Sequence, residues 1–168
     1  LTAFVEILAR QRGGGGFSIG LVSSYRPPLH PGIGKVVGNF SRLVPLGVGP
    51  WNGALAGGPR RLQELLGQSL DGRWPAEAGS WPPVLFNSLL EAGKPAAGGR
   101  PALETLEVGA YWPGVLLLAT VAEDLEGGLE CKWQAREGSL PAGWSENLLG
   151  EYQCFWERLA AGSDDGWI

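Results

Sequence analysis

The sequence predicts an α/β fold, a two-layer sandwich in which a mixed β-sheet carries covering helices. Three observations predict it. Apolar residues recur at helical spacing near both ends of the chain, and short runs rich in Val, Leu and Phe lie between them. The elements follow in the order αβ–β–α–β–ββ–α, which suits helices packed on a mixed sheet.

Residues 1–12 place Leu1, Phe4, Val5, Leu8 and Ala9 at helical spacing, and the glycine run at 13–16 ends that helix. FSIGLVSSY (17–25) alternates through Phe17, Ile19 and Leu21 and reads as a strand. RPPLHPGIG (26–34) is a proline-rich loop leading into a strand with a fault. There Val36 and Val37 begin an apolar run, residues Gly38, Asn39, Phe40 and Ser41 interrupt it, and Leu43, Val44, Leu46 and Val48 resume it. Glycine permits a bulge or a close approach at that point. Asn39 and Ser41 are then either turn chemistry or hydrogen-bonding groups facing a cleft.

GGPRRLQELLGQSLDGRW (57–74) puts Leu62, Leu65, Leu66 and Leu70 on one helical face, with Arg60, Arg61 and Glu64 outside. A short buried strand, 84–90, follows between Gly- and Pro-rich loops. GVLLLATVAEDLEGGLECKWQA (114–135) predicts two strands joined near Glu126, Gly127 and Gly128. Leu148, Leu149, Tyr152, Phe155, Trp156 and Leu159 supply the apolar face of a final helix within 139–162. The tail SDDGWI is linker-like, and no internal repeat is present.

The 168 residues match one domain or one half of a larger unit, and 44% hydrophobic content is enough for a core. Mean hydropathy is zero and no apolar run is long enough to span a bilayer, which argues against disorder and against a membrane protein. The amphipathic start does not resemble a signal peptide. A net charge of −4 without a basic, aromatic-laced patch argues against nucleic acid. Two cysteines, Cys131 and Cys154, suit a reducing compartment and read as small buried hydrophobes rather than nucleophiles. The absence of Met gives the expectation that Leu1 is not a translation start and that the chain is a piece cut from a longer polypeptide. The 28 Gly, 13 Pro and the excess of Arg over Lys point to a GC-rich bacterial genome. The glycine run lacks the Lys-Ser/Thr pair of a phosphate loop, and no Cys/His spacing suggests a metal.

Six segments, in order, resemble the heterocyclization domains of nonribosomal peptide synthetases. SSYRPPLHPGIGKVVGNFSRLVPLGV is similar to the family's loop and strand, RRLQELLGQSLDGRW to the helix after it, and PPVLFNSLL to its PVVFTSLL. YWPGVLLL lies where the family has TPQVWLD, EGGLECKWQA resembles DGGLVLNWD, and the last helix resembles the family's closing helix. The resemblance implies the C-terminal lobe of such a domain over 1–161, one lobe of the chloramphenicol-acetyltransferase-like (CoA-dependent acyltransferase) fold. Residues 162–168 would begin the linker to an adenylation domain. It also implies a cytoplasmic bacterial assembly line for natural products, with peptidyl carrier domains as partners. Phosphopantetheine would sit on those carriers, and no cofactor or metal on this fragment.

The family joins two thioesters through an amide and then cyclises a Cys, Ser or Thr side chain with loss of water. Its positions fall here on Asn39, Ser41, Asn87 and Leu118. Gly-Asp-Phe-Thr has become Gly38 to Ser41, the catalytic Thr has become Asn87, and its Asp partner has become Leu118. An amide cannot accept and return a proton near neutral pH, and Leu cannot even hydrogen-bond. Losing a positioned acid–base group costs roughly 10²–10⁴-fold, about 3–5 kcal/mol. The expectation is a truncated or inactive domain that is not catalytic alone and serves as a platform for the adjoining adenylation domain. The alternative is half of an active condensation domain with its N-terminal lobe upstream, making amides without cyclodehydration. A third reading is an unrelated α/β binding module.

Simpler roles stand beside these. His30 reads as a loop residue. Asn87 and Ser88 either cap a strand end or contact a pantetheine arm. Arg60 and Arg61 form a solvated helix face or a carrier-domain contact, and Trp133 is core packing.

Overall fold

The computed structural model describes residues 1–13, 15–49, 60, 63–64, 66–67, 82–90, 113–123 and 127–161. Helix α1 (Thr2–Gln11) is buried from Ala3 through Ala9, nearly all the way round, so it lies inside rather than on the protein. Its one buried charge, Glu6, is 2% exposed and pairs with Arg10 one turn on. Gly13 follows at φ 67°, the left-handed geometry that stops a helix without strain.

The strands are β1 (Phe17–Ser24), β2 (Ser41–Val48), β3 (Val84–Leu89), β4 (Leu117–Glu123) and β5 (Leu129–Ala135). Helix α2 (Trp144–Ala160) closes the described chain. The sheet order is β2-β1-β3-β4-β5. Its centre is parallel (β1 with β3, β3 with β4), and each edge strand is antiparallel to its neighbour. The expected mixed sheet with covering helices is present.

Because side chains alternate along a strand, one register defines two faces. Val44, Leu21, Phe86, Ala119 and Trp133 form one row across all five strands. This row faces the helices. The Phe4 ring lies 5.2 Å from Phe86, 5.4 Å from Trp133 and 6.3 Å from Tyr152, so one side chain of α1 ties β3, β5 and α2 together. Trp133 is core packing, as expected.

The next residue along each strand gives the opposite row: Leu43, Val22, Asn87, Thr120 and Lys132. Gly20 and Leu85 are buried on this face, where they are register partners. A Cβ on Gly20 would overlap Leu85 Cδ2, so the sheet closes there only over hydrogen.

Three expectations are corrected. The faulted strand does not begin at Val36: residues 33–35 form a 3₁₀ turn, Val37 is 98% exposed, and the strand starts at Ser41. The Val-Val pair resembles a strand only in composition, because the carbonyls of Ile33 and Val36 are taken up by Arg26. Asn87 and Ser88 lie within β3 rather than capping its end. Cys154 is exposed on the outer side of α2, since Leu148, Tyr152 and Phe155 define its inward stripe. Arg60 is exposed on helical backbone, whereas Arg61, Leu62, Leu65, Leu70, the 124–126 turn residues and the 162–168 tail lie outside the described residues.

Candidate functional site

The loop after β1 is built by one arginine. Arg26 Nη1 donates to the Ile33 and Val36 carbonyls at 2.9 and 2.7 Å, while its guanidinium stacks 3.9 Å from the Phe40 ring centroid. Planarity and multiple donors let Arg do both at once. The Tyr25 N–H donates to the Phe40 carbonyl at 2.9 Å, extending the β1–β2 pairing one step past Ser24 and Ser41. Arg42 stacks over Tyr25 at 4.4 Å.

Within this loop, Asn39 Oδ1 accepts a 2.9 Å hydrogen bond from the Ser41 N–H, an Asx turn that starts the strand. His30 Nδ1 likewise accepts from the Gly32 N–H at 2.9 Å, which makes it a turn-forming loop residue. Both side chains are exposed. One polar atom of each serves the backbone.

Asn87 and Leu118 are different. Both are half-buried and both lie on the sheet face away from α1 and α2. Asn87 is in register with Thr120, and Leu118 precedes Thr120 by two residues on the same strand and face. From strand spacing and rise, the 87 and 118 backbone positions are roughly 8 Å apart. The two positions suggested by resemblance therefore share one face and lie within side-chain reach of each other. Ser41 belongs to this face by alternation but sits at the end of the outer strand β2, away from Asn87.

Thr120 was not singled out from the sequence. It presents a half-buried hydroxyl next to the Asn87 amide, and only the strand pairing reveals that proximity. Beyond it, Lys132 is the titratable residue in the row, roughly 10 Å from Asn87 across two strand spacings. Its ammonium is paired with Glu130 at 3.1 Å. The row thus offers an amide and a hydroxyl that can orient a ligand, and no carboxylate or imidazole that can move a proton. Among the described residues no group of three or more His, Cys, Asp or Glu could hold a metal, and no helix is long and apolar enough to cross a membrane.

On the helix side, the Tyr152 hydroxyl and the Trp156 and Trp133 indole N–H groups are buried, without a hydrogen bond of good geometry among the described residues. Burial pushes the Tyr152 phenol up to about 12, although the neighbouring Trp156 N–H pulls the other way. Burial also raises the Cys131 thiol, opposite to what a reactive cysteine needs.

No protein-family model matches the chain. In sequence it is 28% identical over 175 aligned positions to the pyochelin synthetase PchF of Pseudomonas aeruginosa (strain UCBPP-PA14), covering 95% of this chain. It spans 10% of the length of the curated relatives it matches. Among solved structures it superposes on the nonribosomal peptide synthetase FmoA3 with a TM-score of 0.70 at 23% identity, covering 95% of this chain and 18% of that one. The cyclization-docking bidomain of the synthetase EpoB from Sorangium cellulosum gives 0.67 at 22% identity, with 94% and 35% covered. The five-stranded mixed sheet, the helices on its one face and these likenesses agree: the chain has the fold of one lobe of a condensation-superfamily domain, consistent with the C-terminal lobe.

Proposed function

We propose that residues 1–161 form a heterocyclization-like C-terminal lobe of a nonribosomal peptide synthetase that has lost cyclodehydration and serves as a platform for an adjoining adenylation domain. Residues 162–168 begin the linker to that domain. One observation carries the reading. The positions similar to the family's acid–base pair meet on one sheet face, and they hold Asn87 and Leu118.

Hydrogen exchange with and without the adenylation domain tests the platform role. Added protection on this chain when the neighbour is present supports it, and equal protection in both samples removes it. The parent assembly would work in the cytoplasm, and its peptidyl carrier domains would bring substrates on phosphopantetheine arms. The lobe needs no cofactor of its own for this role.

A second reading has its own support. The Asn87 amide and the Thr120 hydroxyl are adjacent on the sheet face, and such a pair can orient an amide-bearing arm without proton transfer. In that case the lobe pairs with an N-terminal lobe upstream and helps join two carrier-bound thioesters as a linear amide. Loss of the amide product on mutating acidic or His residues of that upstream lobe would support it, and full activity after those mutations would end it.

A further inference from the structure

Among the described residues, every large hydrophobic side chain that is exposed lies at one end of the sheet, the carboxyl end of its parallel strands. Tyr25 follows β1, and Leu29, Val36 and Val37 stand in the loop from there to β2, Leu29 being 83% and Val37 98% exposed. Leu89 ends β3 and Leu90 follows it, while Leu129 opens β5 opposite Glu123, the last residue of β4. These residues form a rim across all five strands, roughly 19 Å wide at about 4.8 Å per strand spacing. Apolar side chains gathered in this way mark an interaction surface, whereas scattered ones do not.

Charge is divided along the rim. On the β2 side stand Arg26, Lys35 and Arg42, and no Asp or Glu occurs anywhere between Glu6 and Glu64, although the chain carries 17. On the β5 side stand Glu123 and Glu130, both exposed. Lys132 meets Glu130 at 3.1 Å, and Glu123 leaves that flank negative in sum. The basic flank is ordered before any partner arrives, because Arg26 holds the Ile33 and Val36 carbonyls. Docking there costs little further ordering.

We infer that this rim pairs with the same rim of a second copy of the chain, about a two-fold axis passing near Leu89 and Leu90. A rim that is basic at one flank, apolar in the middle and acidic at the other complements itself after a half-turn, when each basic flank meets an acidic one. A copy related by translation alone would set like charges together, and a partner of one sign would suit only one flank. Each copy has a net charge of −4, so their long-range repulsion is relieved by salt, whereas the opposed flanks are weakened by it. The pairing does not involve Asn87 or Leu118, so it stands or falls separately from the proposed loss of cyclodehydration.

The test is sedimentation velocity of the whole chain from about 5 to 500 µM, in about 20 mM and about 500 mM salt. The expected result is a reversible monomer–dimer equilibrium, about three- to tenfold weaker at the higher salt. Lys35→Glu and Glu130→Lys change exposed side chains, one on each flank, and each should weaken self-pairing by a similar factor. An equimolar mixture of these two variants should recover the dimer, because both contacts between unlike copies again join opposite charges. Val37→Ser should weaken the dimer without changing its response to salt. A monomer throughout the low-salt series, a dimer that tightens with salt, assemblies larger than two, or a mixture that fails to recover would each overturn the inference. The salt and concentration series on the unmodified chain decides even where a variant fails to fold.

Discussion

Asn87 lies directly opposite Thr120 in the parallel register of β3 and β4, with Leu118 two residues before Thr120 on the same face. This relationship makes the face addressable by mutation. The Asn87→Thr variant is expected to fold normally, since it exchanges one half-buried polar side chain for a β-branched one suited to a strand. Adding Leu118→Asp should lower stability by about 1–3 kcal/mol through burial of polar surface, without loss of the fold. Urea denaturation with circular dichroism measures both.

The loop before β2 should respond locally. Asn39→Ala deletes the acceptor for the Ser41 N–H, and Arg26→Ala deletes two carbonyl contacts and the stack on Phe40. Each change is expected to cost about 0.5–1.5 kcal/mol at this exposed site. Hydrogen exchange should speed up at Ser41 in the first variant and around residues 33–40 in the second. Exchange in β3 and β4 should be unaffected.

These two regions also show what the sequence could and could not reveal. Helix α1 and the β4–β5 hairpin were legible because their apolar residues keep a period of 3.6 or 2. Val36 and Val37 misled because β-branched composition imitates a strand, while the fate of their backbone depends on Arg26, ten residues earlier. Asn87 and Leu118 could be singled out by resemblance, but their common face depends on β3–β4 pairing between segments distant in sequence. Thr120 was missed for the same reason.

Gly20 is the residue over which the sheet closes. Gly20→Ala would place a methyl against Leu85, which is 0% exposed and has little room to yield. The expected loss is about 1–3 kcal/mol, from overpacking. A Leu85→Ala change in the same chain should recover part of it, so the double variant will be more stable than the two single losses summed. Chemical denaturation of all four proteins completes the cycle.

Tyr152 predicts a specific alkaline response. Its phenol is held up at about 12 in the folded chain against 10 when unfolded. The unfolded state therefore releases its proton first, and stability present below pH 10 is lost as pH rises toward 12. Two units correspond to at most about 2.7 kcal/mol. Tyr152→Phe should remove this slope, leaving only the contribution of the other ionising groups.

The central proposal is that this lobe has lost cyclodehydration, and the most direct measurement is the mass of the product made by the synthetase proposed to contain it. Carrier-bound donor and Cys, Ser or Thr acceptor thioesters are supplied, and the released product is weighed. The account predicts no product that has lost the water of ring closure; a linear amide, if formed, favours the second reading over the platform. A heterocycle formed by the unmodified domain would contradict it.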